Sequence, residues 1–346
     1  MQDHVRQLLS EDELALIHAL QLRPRASWTD LGRALGVDPV TVARRWNRLA
    51  ERGEAWVGLS PGPRLFDQLC LAFVEIDCGA GAAGEVTRAL TGHPHMLTVE
   101  RASGAYDLLA TVATRDLAAM SRYTLDVLPA LAGVRAVRAR IVTHMFTEGG
   151  RWRIAALAPG QRARLAAVPA VPAAEDRRAA VVTPFDRALL AALARDGRAS
   201  HQALATALAV SSATVKRRHD QLTRLGLLRF RCDFARPLGG WPVAATFWAA
   251  VPPADLPDVG QALIRLPETR NCAAVSGTHN LVLQASLHSV ADVLRLETQL
   301  AVNHPGLRIA ERVITLRHEK LLGHVLDPDG RSVDVVPPDI WAAPEA

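Results

Sequence analysis

The chain contains itself twice, at a fixed offset of 173 residues: RASWTDLGRALGVDPVTVARRWNRLAERG, Arg25 to Gly53, lies without a gap on RASHQALATALAVSSATVKRRHDQLTRLG, Arg198 to Gly226. The same offset lays SGAYDLLATV (Ser103 to Val112) on SGTHNLVLQA (Ser276 to Ala285), and Gly133 on Gly306. A period this long exceeds a solenoid unit. It reads as a duplicated two-domain module, and 346 residues leave room for four small domains.

Composition narrows the class. Apolar residues make up 49% of the chain, enough for real cores, yet no stretch approaches the roughly 18 uninterrupted apolar residues of a membrane span. The opening MQDHVRQLLSEDE lacks the basic-then-apolar order of a signal peptide, so the sequence predicts a cytoplasmic protein with no membrane contact. Cys70, Cys78, Cys232 and Cys272 form no CxxC pair and have no histidine at ligand spacing, so they read as reduced thiols, with no metal and no cofactor expected. The net charge of +5 is modest, and Lys216 and Lys320 are the only lysines. That arginine bias fits a GC-rich genome, so basicity points to nucleic acid only where the arginines cluster.

They cluster in the first repeated segment. Leu14, Leu16, Ile17 and Leu20 recur at helical spacing after Ser10 and a run of acids, which suits a helix N-terminus. A second helix opens near Ser27 with Leu31, Ala34 and Leu35 on one face. In Leu35-Gly36-Val37-Asp38-Pro39 the glycine ends that helix, Asp38 caps the next, and Pro39 takes its first position, where no N–H is needed. The third helix buries Val42, Trp46 and Leu49. Its other face carries Val40, Thr41, Arg44, Asn47, Arg48 and Glu51, with Arg45 at the flank. Of these, threonine and asparagine can read base edges, and arginine can bond guanine or phosphate. The pattern predicts a helix-turn-helix that reads double-stranded DNA through Val40, Thr41, Arg44, Arg45, Asn47 and Arg48. The second copy predicts the same through Ser212, Thr214, Lys216, Arg217, Arg218 and Gln221, after a cap at Ser211. There Ala209 replaces the turn glycine, at up to about 1 kcal/mol if it is left-handed. The segments Ala55-Trp56-Val57 and Leu228-Arg229-Phe230-Arg231 suit wing strands.

The second repeated element alternates strand and helix. LCLAFVEID, GEVTRALTGHP, HMLTVERAS, SGAYDLLATVAT, RDLAAMSRYTLDVLPAL and GVRAVRARIVTHMF give the order β-α-β-β-α-β, a ferredoxin-like sandwich. The second copy runs from Trp241 to about Lys320. The third strand is apolar on both faces (Leu108, Leu109, Ala110, Val112), which predicts that its open face buries against another sheet.

A helix-turn-helix followed by this sandwich, with S-G-x-Y-D-L-L as the third strand and V-D-P-V-T-V-A-R-R-W-N-R-L as the third helix, resembles the Lrp/AsnC family of leucine-responsive and asparagine regulators. The resemblance covers nearly all of both halves, and family members usually carry one copy of each domain, so this chain resembles a tandem fusion. It implies a transcriptional regulator of α+β class, with two winged helix-turn-helix domains alternating with two ferredoxin-like βαββαβ sandwiches. It also implies a small amino-acid-like effector held near the glycine-bearing strand, which maps onto Gly104, Tyr106 and Asp107 in one copy and Gly277, His279 and Asn280 in the other. Asn280 cannot supply the carboxylate that Asp107 offers an ammonium group, so the first half is expected to hold such an effector more tightly. The alternative for these motif residues is a purely structural role in shaping the strand.

The predicted domains are 1–62 and 184–235 (winged helix-turn-helix), 67–146 and 241–320 (sandwich), 147–183 (linker) and 321–346 (tail). The linker, roughly 37 residues and up to about 120 Å if extended, lets the two sandwiches pair sheet to sheet within one chain. Further association into a homo-oligomer is expected. The two reading helices differ outward (Val40 against Ala213, Asn47 against Asp220, Arg48 against Gln221), which predicts an imperfect palindromic site. Two other readings compete. Siroheme decarboxylases resemble the same family and use histidines near a tetrapyrrole, for which His93, His95 and His279 are candidates. An architectural DNA binder without an effector is the other. No catalytic residue is assigned.

Overall fold

Caps set each helical head, and the computed structural model, which describes residues 8–66, 68–167 and 182–344, follows them closely. Ser10 opens α1 (Glu11–Leu22) with a capping box to Glu13, Ser27 caps α2 (Trp28–Leu35), and Asp38 caps α3 (Pro39–Glu51) at 2.8 Å from the Val40 N–H. Gly36 between α2 and α3 is left-handed at φ 74°. The second head comprises α9 (Pro184–Arg195), α10 (His201–Ala207) and α11 (Ser212–Arg224); there the turn residue Ala209 takes φ 53°, the left-handed conformation a glycine would hold more comfortably. The wings β1 (Ala55–Pro61) and β6 (Leu228–Phe234) pair with each other, antiparallel from Ala55↔Phe234 to Pro61↔Leu228. One short ribbon thus joins the two heads.

The first sandwich follows α4 (Pro63–Phe66) and contains β2 (Cys70–Cys78), α5 (Ala83–Gly92), β3 (Met96–Ala102), β4 (Leu108–Thr114), α6 (Leu117–Arg122), a π turn over Tyr123–Val127, α7 (Leu128–Ala130) and β5 (Val134–Thr147). After α8 (Pro159–Ala166) and the second head, the second sandwich repeats the order with β7 (Val243–Ala250), α12 (Leu256–Leu263), β8 (Thr269–Val275), β9 (Leu281–Leu287), α13 (Ala291–Asn303) and β10 (Arg308–Leu321).

The last strand of each copy joins the halves. At 14 residues, β5 and β10 each reach roughly 47 Å, about twice a typical strand. Residues 134–141 of β5 pair with β2 of the same sandwich, and 142–147 pair with β8 of the other. In β10, 308–315 pair with β7 and 315–321 cross to β3. The two four-stranded sheets therefore close into an antiparallel eight-stranded barrel, and the apolar open faces the sequence predicted meet inside it. Phe73, Tyr106, Leu109, Trp248, Val282 and Val313 fill that interior. The helices cover the outside over two separate cores.

Two segments differ from expectation. The stretch predicted as a linker packs as part of the first head up to residue 167. Trp152, Ile154, Leu157 and Leu165 are buried in that head's core, the Ile154 N–H donates to Gln21 at 3.0 Å, and His18 Nδ1 accepts from Ala156 and Leu157. Residues 168–181 of the expected linker lie outside the described residues. The tail forms β11 (His324–Leu326) and β12 (Ser332–Val335), and Ile340 and Trp341 pack on the core of the second head. Both segments look polar and proline-rich in isolation because their few apolar side chains meet partners far away in the chain. Among the described residues no helix is long and apolar enough to cross a membrane.

Candidate nucleic-acid interface

On α3, Val42, Trp46 and Leu49 face the core, which leaves Val40, Arg44, Asn47 and Arg48 exposed and Thr41 half-buried. On α11, Val215, His219 and Leu222 face inward, Lys216, Arg217 and Gln221 are exposed, and Ser212 and Thr214 are half-buried. Each helix thus presents a polar, mostly cationic face, and Arg44 and Arg217 carry it at equivalent positions. Lys216 is drawn to Asp220 at 2.7 Å, a solvent-exposed pair that a phosphate can displace at little cost.

Two predicted contact residues are placed differently. Arg45 reaches Asp12 of α1 at 2.8 Å, and Arg218 bonds both carboxylate oxygens of the fully buried Asp186 in α9. Both arginines lie at the flank of the reading helix nearest helix one, so a carboxylate there captures them. They brace the heads rather than extend outward.

The heads are also locked to each other. Arg25 donates to the carbonyls of Gly197 and Ala199, while Arg198, its counterpart in the repeat, donates to those of Pro24 at 2.6 Å and Ala26 at 2.9 Å. The Arg198 guanidinium lies 3.8 Å from the centre of the Trp28 ring, and Arg25 stacks on Phe230. Gly197 approaches Val57 so closely that a Cβ would sit 2.6 Å from its carbonyl oxygen, and its N–H bonds that oxygen at 2.7 Å. This reciprocal clasp went unread in the sequence, although the RAS triplet that carries it opens both repeats. Together with the β1–β6 ribbon, it fixes the spacing of α3 and α11.

Of the six predicted effector residues, Gly104, Tyr106 and Gly277 lie at the seam between the two sandwiches, whereas Asp107 and Asn280 bond within their own sandwich. Gly104 (φ 120°) and Gly277 (φ 106°) bring the preceding serines to the opposite half: Ser103 Oγ accepts the Ile314 N–H at 3.0 Å, and Ser276 Oγ accepts that of Ile141 at 2.9 Å. Tyr106 is buried and its hydroxyl accepts the Trp248 indole N–H at 3.0 Å. The Asp107 carboxylate accepts the Cys78 N–H at 2.7 Å, and Asn280 makes two bonds to the Val251 backbone. His279 is half-buried, with an Nδ1 that has no hydrogen-bond partner. None of the cavities described is lined by these six residues. Their arrangement stitches the barrel and caps strand ends. Asp107→Asn should accordingly shift stability by less than about 0.5 kcal/mol in urea unfolding, since the amide oxygen can still accept from Cys78; a larger loss means that the negative charge itself matters.

The histidines considered for tetrapyrrole chemistry are engaged or apart. His93 Nδ1 meets the Tyr123 hydroxyl at 2.8 Å, His95 Nε2 meets the Ala342 carbonyl at 3.1 Å, and burial lowers both pKa values. His279 belongs to the other sandwich.

Comparison with known proteins agrees with this anatomy. Residues 9–50 and 183–223 each match the AsnC-type helix-turn-helix domain, and 71–152 match the Lrp/AsnC ligand binding domain. An uncharacterised helix-turn-helix transcriptional regulator of Pyrococcus abyssi is 28% identical over 131 residues, covering 38% of this chain and 83% of that protein. The transcriptional regulator Ptr1 of Methanocaldococcus jannaschii is 21% identical over 148 residues, 42% of this chain and all of that one. Among solved structures, the siroheme decarboxylase NirDL shares the fold across the tandem architecture. It covers 90% of this chain and 93% of its own at a TM-score of 0.58, with 12% identity.

Proposed function

We propose that this chain, which belongs to the Lrp/AsnC family, is a DNA-binding transcriptional regulator whose two unlike heads read one asymmetric site as a rigid pair. The carrying observation is the coincidence of two exposed reading helices with the Arg25–Arg198 clasp that holds them at fixed separation. Arg44, Asn47 and Arg48 would supply the base and phosphate contacts of one half-site, and Arg217, Lys216 and Gln221 those of the other, with Val40, Thr41, Ser212 and Thr214 at the helix starts. A small-molecule effector would tune that contact. Exposed Leu117, Leu125, Val290 and Leu294 on the outer helices support association with further copies, which sedimentation of the purified chain would measure.

Selection of bound fragments from random DNA tests the reading. It should return an imperfect palindrome with half-sites about one helical turn, or a multiple, apart. A perfectly symmetric consensus would contradict two unlike readers, and no enrichment would remove the function. Arg44→Ala should weaken binding to the selected site by about 1–3 kcal/mol, roughly 5- to 150-fold, and relax one half-site only. Arg218→Ala provides the contrast: stability should fall as buried Asp186 loses its partner, while base preference holds.

One observation favours a second reading. The fold shared with a siroheme decarboxylase spans both halves, so a tetrapyrrole-modifying enzyme is the competing class. The visible spectrum of protein purified and then mixed with an iron porphyrin separates the two, because a stoichiometric shifted band would favour the enzyme.

A further inference from the structure

Trp28 and Trp46 of the first head fall, at the offset of 173, on His201 and His219 of the second. Both pairs occupy the same places: the first residue of α2 or α10, and the inward face of α3 or α11. In the first head the Trp28 ring carries the Arg198 guanidinium, an attraction that persists at any pH. In the second head Arg25 lies 5.1 Å from the centre of the Phe230 ring, and Phe230 meets His219 with centroids 5.4 Å apart. The His201 and His219 rings are 5.3 Å from each other, and both feel the charge of Arg25. One half of the clasp is thus backed by a ring that cannot take a proton, and the other by two that can.

The surroundings of the two imidazoles suit their uncharged form. His219 is 8% exposed and His201 is half-buried, and neither Nε2 has a hydrogen-bond partner among the described residues. Arg25 acts on both rings and Lys216 on His201. The opposing carboxylate is Asp220, with Oδ1 at 3.4 Å from His219 Nδ1 and Oδ2 held by Lys216 at 2.7 Å. Other charges on the neighbouring elements are committed elsewhere. Asp186 of α9 takes Arg218, Arg229 and Arg231 of β6 take Glu148 and Asp233, and Arg217 and Arg224 of α11 are exposed. Asp196, which follows α9, acts on Arg25. Burial first and Arg25 next hold His219 down at about 4, and the same two causes lower His201.

We propose that the Arg25 half of the clasp is a proton-operated catch. In acid His201 and His219 become charged, Arg25 is driven off the Gly197 and Ala199 carbonyls, and the Arg198 half stays closed on Pro24 and Ala26. A histidine that the fold keeps neutral contributes stability that is complete above its ordinary value of 6.5. That contribution is lost as pH falls from there toward the folded value, so the window runs from pH 6.5 to about 4. Within it the second head loosens from the first on one side only. That such loosening weakens the paired reading of DNA deepens the regulator reading and rests on it; the catch itself does not.

The test is hydrogen exchange of the full chain between pH 7.5 and pH 5, expressed as protection factors. The reporter is the segment 196–204, in which the Gly197 N–H bonds the Val57 carbonyl. For a group moved from 6.5 to about 4, its protection should drop about 30-fold at pH 5 in wild type. In His219→Phe, which keeps a ring against Phe230 and loses the proton site, the drop should be at least tenfold smaller. Burial lowers His18 and His324 too, but both titrate alike in the two proteins and cancel in the comparison. Arg25→Met serves if His219→Phe does not fold: in an NMR titration it should move the His219 midpoint up toward 6.5. Superimposed profiles for wild type and His219→Phe, a wild-type His219 midpoint at 6.5 or above, one unmoved by Arg25→Met, or an equal loss of protection over 23–28 beside the Arg198 half overturns the proposal. Binding to the selected DNA fragment is followed at the same pH values. A chain whose catch opens but which binds no DNA keeps the switch and loses the regulator, whereas specific binding by heads that ignore pH loses only the switch.

Discussion

Asp233→Ala should cost about 3–5 kcal/mol of unfolding free energy, measured by chemical denaturation at neutral pH. Asp233 is 5% exposed and bonds Arg231 twice, at 2.5 and 2.8 Å; Arg270 lies 3.7 Å away and Arg236 also faces it. It is the anion that all three buried arginines share, with Glu148 acting on Arg231 and Arg270 and Glu100 on Arg236, so removing it leaves the cluster with too little negative charge. The same group sets an acid limit. Arg231 and its neighbours hold the Asp233 carboxyl down at about 2, below an ordinary value of 3.8. A depressed carboxyl contributes stability that is complete above its unfolded pKa and is lost as pH falls through the folded one. Wild type should therefore lose about 2 kcal/mol between about pH 4 and pH 2 that Asp233→Ala does not lose. Parallel pH profiles for the two proteins would show that the cluster is not organised around this residue.

Trp248→Ala should cost about 3–5 kcal/mol and should do so for both halves of the barrel at once. The indole is fully buried in β7, meets Phe73 of β2 edge-on with centroids 6.0 Å apart, donates to Tyr106, and lies under the Arg140 guanidinium at 4.4 Å. Each of those three neighbours belongs to the other sandwich. Hydrogen exchange should show protection falling in β2 and β4 as well as in β7 and β9. Loosening confined to the second sandwich would mean that the halves fold independently and the shared interior adds little.

The same locality separates what could be read from what could not. Ser10, Ser27, Asp38 and Ser211 as caps, and Gly36 as the left-handed stop, act within three or four residues and were visible as letters in a row. Strand order in each sandwich was legible for the same reason. The effector motif was mapped as a ligand site from the family resemblance, with a structural role as the alternative. In the folded chain, Ser103 and Ser276 reach strands 211 and 135 residues away, and Asp107 bonds the Cys78 N–H. Arg45 and Arg218 lie next to exposed arginines in sequence, but Asp12 and Asp186 claim them.

The sequence by itself determined the duplication, the heads, the sandwiches and the outward faces of α3 and α11. Backbone capping, turn chemistry and hydrophobic period are short-range forces, and each was complete within a few residues. Only the tertiary structure decided that β5 and β10 cross between halves, that Trp152 and Trp341 dock their segments on the heads, and that Arg25 and Arg198 clasp one another. It alone gathered Arg231, Arg236 and Arg270 around the buried Asp233 carboxylate. Those outcomes depend on which polar groups meet when distant segments lose water together, and a buried charge needs its counter-charge only once that burial has happened.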